Sequence, residues 1–295
     1  MLNRCPLLGV HRAGIPCIST NHGAFALLDG YCARWRPLWL KLALLPAAWL
    51  SKMQVVWNVE TEVAVSQHDL RNLQTWYWPL RRKFRQIYHS KIRRDETPPA
   101  ACPREKTILC VGTIGPRKGQ TLLVQAFEKI ATRYPDWNLV LAGRGAEPSL
   151  VEEIEAIRIH SHLEHRIRHV EDLSDQAIAE LMRTSEIFAM PSLLEGLGLS
   201  LQEALFYGCA CVGSRVGGIP ELIDNGANGL LVSPGNADEL AVALDRLISD
   251  AALRHRLRAR APSSILEKGM TAEQMVKNYE ALYARIGVLD FKLSK

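Results

Sequence analysis

Residues 191–232 read PSLLEGLGLSLQEALFYGCACVGSRVGGIPELIDNGANGLLV. A β-like run, EIFAMPS (186–192), leads into a glycine-spaced turn, EGLG, and then into the helical pattern LSLQEALFYG (199–208). ACVGS (210–214) is the next strand. A short helix near Pro220–Asp224 follows, and GLLVS (229–233) closes the stretch as another strand. Strands alternating with helices at this spacing predict parallel βαβ units. Seven residues separate Glu195, in the turn, from Glu203, on the helix. One carboxylate is thus expected at a strand's carboxyl end and the other on the following helix, beside the crevice where open α/β sheets bind ligands. Carboxylates there accept hydrogen bonds from sugar or ribose hydroxyls, at roughly 1.5–3 kcal/mol each. The N–H groups of Leu197, Gly198 and Leu199 open the helix and suit an anion. The spacing reads as a pocket for a nucleotide sugar.

The same rhythm extends upstream. TILCVG (107–112) predicts a buried strand, QTLLVQAFEKIATRY a helix, and NLVLAG (138–143) a second strand. SLVEEIEAIRIH is the next helix and IRHV (167–170) a short strand. SDQAIAELMRTS is a helix with Ser174 as its N-cap, and NADELAVALDRLIS a later one. This half forms a complete doubly wound domain. The front half is less regular: CIST (17–20), VVWNVETEVAVS (55–66) and FRQIYHS (84–90) are strand candidates, with tryptophan-rich helical material between them. A six-stranded doubly wound domain needs roughly 150–200 residues, and only about 100 precede Thr107. The segment ETPPAACPREK (96–106), rich in proline and charge, marks the boundary. The expected organisation is a partial first domain over 1–100, a nucleotide-sugar domain over 101–270, and a final amphipathic helix within 271–295. A fragment, a start upstream of Met1 and a naturally short chain all fit that incomplete front.

Composition sets broad limits. The 295 residues are 47% hydrophobic and 23% charged, ordinary for a globular protein. A net charge of +5, from 36 basic against 31 acidic residues, suits an anionic ligand or an anionic membrane surface. No nucleic-acid signature or zinc-finger spacing appears, so no nucleic-acid partner is expected. The seven cysteines lack metal-like spacing; Cys209 and Cys211, in CACVG, read as small buried residues, and a reducing, cytoplasmic setting fits. MLNRCPLLGVHRAG shows no sustained apolar core of a signal peptide. WRPLWLKLALLPAAWL (35–50) has about a dozen apolar residues interrupted by Lys41 and Pro46, short of the roughly 20 that a spanning helix needs. It reads either as a buried helix and loop or as an interfacial helix, the latter at the inner face of the cell membrane.

The 191–232 segment resembles the donor-binding region of glycosyltransferase family 4, the group 1 glycosyltransferases. That pattern is Pro-Ser, two variable residues, Glu-Gly, a hydrophobic residue, Gly, four variable residues and Glu-Ala. It stands here as Pro191, Ser192, Glu195, Gly196, Leu197, Gly198, Glu203 and Ala204. The resemblance runs from about Arg12 to Tyr283. It implies a GT-B-like architecture of two Rossmann-like doubly wound domains, the N-terminal one incomplete, with the last helix returning to the first domain. The family's first strand and glycine-rich loop, which face the acceptor and the donor phosphates, are absent from this chain's front.

The resemblance also implies roles. Glu203 would grip the ribose hydroxyls, and Glu195 would lie near the transferred sugar. Gly196, Leu197, Gly198 and Leu199 would cradle the donor. In VGTIGPRKGQ, Arg117 and Lys118 would face the phosphates, Lys118 foremost; a planar fork and a point charge both suit phosphate oxygens. Thr113 stands where the family often has an arginine, which puts that phosphate contact in question. His22, in CISTNHGAF, matches a Thr-x-His element near the sugar; as a plain residue it is equally a structural histidine at a strand end. Gly143 and Arg144, in LAGRGAEP, would line the base pocket. The histidines of HSHLEHRIRH (160–169) read as basic surface, and without an Asp-x-Asp motif a metal-independent reaction with no cofactor is expected. The implied function is a retaining glycosyltransferase, a hexosyltransferase using a GDP- or UDP-linked sugar. Its acceptor would be a glycan or a lipid-linked glycan in cell-surface polysaccharide assembly. An inactive or truncated nucleotide-binding module, a partner subunit of such an enzyme, and a nucleotide-sugar epimerase are the alternatives.

Overall fold

The structure, a computed structural model, describes residues 16–21, 38–93 and 103–287. They fall into two compact units, one drawn from Met1–His89 and Ala272–Lys295, the other from Ser90–Thr271.

In the smaller unit β1 (Ile18–Asn21), α1 (Leu38–Trp57), β2 (Thr61–Ala64), α2 (Gln67–Trp76), a 3-10 turn (Trp78–Lys83) and β3 (Phe84–Gln86) follow in order. The strands make a parallel sheet, β1-β2-β3, with Ile18 opposite Thr61 and Glu62 opposite Phe84. Side chains alternate across a strand, and β2 uses both faces. Ala64 joins a cluster with Val56, Leu73, Tyr77 and Phe84, whereas Val63 meets Ile87 and Leu282. Leu282 belongs to the C-terminal helix, Ala272–Arg285. That helix also brings Tyr279, whose hydroxyl lies 3.1 Å from Thr20 Oγ1 and 2.8 Å from His89 Nε2. Glu62 is fully buried and is held by the Ser19 hydroxyl and the Lys52 ammonium.

Two expected strands are shorter than the apolar runs suggest. Of residues 55–66, only Thr61–Ala64 is strand, because Val55, Val56 and Trp57 complete α1. The Lys83 ammonium closes that helix end, donating to the carbonyls of Val56, Trp57 and Val59 at 3.3, 3.0 and 2.7 Å. FRQIYHS is strand only over Phe84–Gln86. Within 35–50, residues from Leu38 onward belong to α1 despite Pro46. No helix among the described residues is long and apolar enough to cross a membrane.

The larger unit follows the predicted alternation closely. Its elements are β4 (Glu105–Val111), α3 (Gln120–Ala131), β5 (Asn138–Ala142), α4 (Pro148–His160), β6 (Ile167–Val170), α5 (Asp175–Thr184), β7 (Ser185–Met190) and α6 (Leu199–Phe206). Then come β8 (Ala210–Ser214), α7 (Ile219–Leu222), β9 (Gly229–Val232), α8 (Ala237–Ser249) and α9 (Ala251–Glu267), before the C-terminal helix, α10. All six strands are parallel, in the order β6-β5-β4-β7-β8-β9. Consecutive residues Ile108, Leu109 and Cys110 are all buried, as are Ile187, Phe188 and Ala189. That requires helices on both faces of the sheet. Ser174 caps α5, accepting from the Ala177 N–H at 3.1 Å, as its position predicts.

Two consequences follow from this order. The chain winds outward from β4 through β5 to β6, then returns to the other side of β4 as β7. The junction between β4 and β7 is therefore the switch point, and ligands bind outside the carboxyl ends of the strands there. Second, α9 was not anticipated. It buries Leu253, Leu257, Ala261 and Ile265, and it fastens to the sheet through Arg254 and Arg258, which bind the Glu186 carboxylate at 3.2 and 2.9 Å. Its far end is tied to the β8–β9 connection by buried Asn228, which donates to Leu222 O (2.9 Å) and Ser264 Oγ (2.8 Å) and accepts from the Asp224 N–H (2.7 Å). Removing a buried partner leaves the others unsatisfied, at about 1–3 kcal/mol. Asn228→Ala should accordingly lower the Tm by several degrees. An unchanged Tm in thermal unfolding would show that the amide holds nothing together.

Candidate functional site

The turn after β4 and the turn after β7 meet through main chain. Leu193 and Leu194 donate their N–H groups to the Arg117 carbonyl at 2.7 and 3.3 Å. Gly119, with φ of 67°, lies against Pro191, and a Cβ built there would fall 2.2 Å from the Pro191 carbonyl oxygen. On the other side of the EGLG turn, the Gly218 N–H donates to the Gly196 carbonyl at 3.0 Å. Gly217, with φ of 54°, comes so close that a Cβ would lie 1.7 Å from the Glu195 carbonyl oxygen. Only glycine permits that backbone conformation and that approach together. The Glu195 turn is therefore clamped between two glycine turns.

Within the clamp, Lys118 Nζ lies 2.6 Å from Glu195 Oε2. The two side chains are only 26% and 15% exposed, so solvent screens this pair less than a surface pair. Sequence reading gave these residues different tasks, phosphate and sugar; the fold joins them directly. Ser192 adds a long hydroxyl contact to the same carboxylate, at 3.5 Å. Buried Gln120 shapes the turn from below, its amide donating to the carbonyls of Gly112 and Thr113 at 3.2 and 3.0 Å. Arg117 lies one residue from Lys118 with its side chain exposed, and Thr113 is exposed as well. Beside the same turn, the Cys110 thiol is pushed up to about 12, chiefly by burial and against the opposing pull of Lys118.

Gly198, in left-handed conformation at φ of 97°, caps α6, and Leu199 is its first residue. The first N–H groups of a helix have no partner within it, so those from Leu199 onward open at the switch point. Ser200 anchors the turn of the helix to β4 by donating to the Val111 carbonyl at 3.1 Å. A cleft of about 400 Å³ lies alongside, lined by Val111, Leu199, Ser200, Glu203 and Tyr207 from β4 and α6, and by Asp175 and Ile178 from α5. Glu203 is half-buried in its wall. A second cleft of about 390 Å³ shares Ile178 and is lined by Gly143, Arg144, Asp172 and Leu173 at the ends of β5 and β6. Gly143, with φ of 149°, faces the turn after β4; its Cβ would fall 2.4 Å from the Gly112 carbonyl oxygen.

The larger unit thus gathers Lys118, Glu195, Gly196, Leu197, Gly198, Leu199, Glu203, Gly143 and Arg144 along one sheet edge. His22 lies outside the described residues. Of the histidine-rich stretch, His160, His162 and His165 are exposed, whereas the His169 imidazole is half-buried and donates to the Gly143 carbonyl at 2.8 Å. Among the described residues no group of three His, Cys, Asp or Glu side chains is placed to hold a metal ion. Sequence reasoning passed over Gln120, Ser200 and Asp172, and it read His169 as basic surface, whereas that imidazole is tied to Gly143. Of these, only Gln120 carried a signal, its place next to a glycine at a helix start.

Residues 93–264 match the family model for glycosyl transferases group 1. The chain is similar to N-acetyl-alpha-D-glucosaminyl L-malate synthase of Bacillus anthracis, with 32% identity over 179 residues, 61% of this chain and 45% of that protein. It is also similar to phosphatidyl-myo-inositol mannosyltransferase of Mycolicibacterium smegmatis, with 31% identity over 185 residues, 61% of this chain and 46% of that protein. The chain thus spans less than half the length of these curated relatives. Among solved structures, HepE from Anabaena in complex with UDP and glucose superposes with a TM-score of 0.76 at 19% identity, covering 95% of this chain and 74% of that one. The shared architecture is that of the GT-B glycosyltransferases.

The glycine clamp is open to test. Gly217→Ala and Gly226→Ala both place a side chain at positive φ, which costs about 1–2 kcal/mol. Only the first also meets backbone, since a Cβ at Gly226 has nothing within 4 Å. Gly217→Ala should lower the Tm clearly more than Gly226→Ala. Equal drops would mean that the Glu195 turn moves aside freely.

Proposed function

The chain belongs to the group 1 glycosyl transferases, and from that premise we propose that it transfers a hexose from a nucleoside-diphosphate donor to a glycan or lipid-linked acceptor, with retention at the anomeric carbon. The observation that carries this reading is the Lys118–Glu195 pair at the switch point, beside the cleft that holds Glu203. Transfer asks for two things: positive charge for a departing diphosphate and an acceptor of hydrogen bonds for the sugar. Lys118, with the exposed Arg117 beside it, answers the first. Glu195 answers the second and offsets positive charge at the ring. Half-buried Glu203 takes the ribose hydroxyls.

In this mechanism the bond from the anomeric carbon to the diphosphate oxygen breaks, and its electron pair stays on that oxygen. The acceptor oxygen attacks from the face that the diphosphate leaves, and its proton passes to the departing phosphate. Glu195 is assigned no nucleophilic role here; it accepts hydrogen bonds from the sugar hydroxyls and offsets charge at the ring. Preorganised donors at developing charge typically contribute about 10²–10³ in rate each. The geometry also speaks for activity rather than decay, since the pair and both clefts are intact.

The same reading places the enzyme at the cytoplasmic face of a membrane, in assembly of cell-surface polysaccharide. Supporting it, the smaller unit exposes Trp57, Trp76 and Trp78 at 63%, 49% and 70%. Arg81 and Arg82 are exposed in the turn that follows Trp78. Tryptophan beside arginine suits headgroup depth. The purified protein should sediment with anionic vesicles at low salt and come off as salt is raised. Failure to bind at low salt removes the membrane from the proposal.

The donor site is tested by thermal unfolding with UDP, GDP and ADP. A nucleotide at a hundred times its Kd adds about 2.7 kcal/mol, a rise of roughly 5–10 °C for a protein of this size. At least one nucleotide should give that rise, Glu203→Ala should abolish it, and Lys118→Ala should lower kcat with the matching donor by about 10²–10³. A cooperative transition that no nucleotide moves would overturn the reading in favour of an inactive module.

A further inference from the structure

The turn that carries Lys118 begins where β4 ends, and its first N–H groups are taken by β5 and the turn after it. Gly112 donates to the Ala142 carbonyl at 2.9 Å, and Ile114 donates to the Arg144 carbonyl at 2.8 Å. The carbonyls of Gly112 and Thr113 go instead to a single side chain. Gln120 Nε2 lies 3.2 Å from the first oxygen and 3.0 Å from the second, and Gln120 Oε1 lies 3.5 Å from the Gly115 nitrogen. Gln120 is the first residue of α3 and is 2% exposed. Its amide reaches back into the turn rather than along its own helix. We propose that Gln120 is the positioning residue for Lys118 and acts on the donor's diphosphate only through that lysine; the inference rests on the nucleotide-donor reading above.

Gly112 is the link between them. A Cβ built there would lie 3.7 Å from Lys118 Cε and 3.9 Å from Lys118 Cδ. The end of the lysine stem thus runs beside the residue whose carbonyl Gln120 holds. Beyond that point Nζ meets Glu195 Oε2 at 2.6 Å. Main chain nearer Lys118 is settled separately: its own N–H donates to the Gly115 carbonyl at 3.0 Å, and the Arg117 carbonyl accepts from Leu193 at 2.7 Å. Gln120 settles the Gly112–Gly115 side. A long, freely rotating lysine keeps one position only where its surroundings are fixed in this way, and a misplacement of about 1 Å can cost about 10²-fold in rate. The place asks for an amide. An amide nitrogen carries two donors, enough for two carbonyls at once. A glutamate of the same shape is acceptor-only when ionised and would set oxygen against oxygen. A methionine fills a similar volume and leaves both carbonyls without that donor.

A double-mutant cycle separates positioning from general support. Calorimetric titration with GDP, UDP and ADP is carried out on the wild-type chain, on Gln120→Met, on Lys118→Ala and on the double variant, with Gln120→Glu as a second replacement in both backgrounds. The nucleotide that binds wild type most tightly should lose about ten-fold in affinity with either Gln120 variant, the scale of one charge-assisted hydrogen bond. In the Lys118→Ala background, already weakened, the same Gln120 change should alter affinity by less than about two-fold. A drop of equal size in both backgrounds would mean that Gln120 holds the site together without aiming the lysine, and it overturns the assignment. So does an affinity that neither Gln120 variant changes, or a Lys118→Ala chain that binds as well as wild type; in each case the donor site still stands. A wild-type chain that binds none of the three nucleotides overturns the donor reading as well. Thermal unfolding without ligand identifies the folded variants, and Gln120→Glu carries the cycle if Gln120→Met does not fold.

Discussion

Three turns from distant parts of the chain converge between Arg117 and Gly218, and they touch through carbonyls and N–H groups. Arg117 accepts from Leu193 and Leu194, Gly119 lies under Pro191, and Gly218 donates to Gly196 while Gly217 lies under Glu195. Main-chain contacts of this kind leave no room for rotamer choice. They place Glu195 opposite Lys118 before any ligand arrives, so the order at the site is established during folding. The parallel sheet makes this convergence possible by bringing β4 and β7 side by side, with both carboxyl ends on one edge. Everything proposed about chemistry depends on that adjacency.

Charge is arranged in graded depth around it. The Lys118–Glu195 pair is largely shielded, Glu203 is half-buried in the adjoining cleft, and the Arg144–Asp172 pair stands in solvent at the rim. Shielding strengthens interactions where the reacting atoms would lie, whereas solvent screens the pair at the rim. The same unit keeps reactive sulfur out of this chemistry: burial raises the Cys110, Cys209 and Cys211 thiols well clear of neutral pH.

The alternation from Thr107 to Ser249 was legible because strands covered on both faces become unbroken apolar runs, and TILCVG and EIFAM are such runs. Helix α9 was not legible in the same way. AALRHRLRARAPSSILE carries four arginines and an internal proline, which read as surface or break. Its apolar residues nonetheless recur every fourth position at Leu253, Leu257, Ala261 and Ile265, and two arginines are consumed by Glu186. In the front half, VVWNVETEVAVS looked uniformly strand-like because valine favours strands locally. Lys83, far along the chain, helps to settle where the helix stops, together with Asn58, which donates back to the Gln54 carbonyl at 2.6 Å. At the site, Lys118 and Glu195 were each legible from their glycine-flanked turns. Their union across 77 residues was not, since it depends on strand order.

Glu62 bears on how the smaller unit chooses its arrangement. Burying a carboxylate and an ammonium costs several kcal/mol in desolvation, and apolar residues of the same volume often serve stability as well or better. What the apolar alternative lacks is direction. Helix α1 is strongly apolar, with little contrast between one side and another, so greasy contact alone would accept several rotations about its axis. Lys52 on that helix meets Glu62 in only one of them, and Ser19 on the neighbouring strand completes the same carboxylate. The buried carboxylate therefore gives the contact between helix and sheet a direction that apolar surface does not supply, at a cost in desolvation.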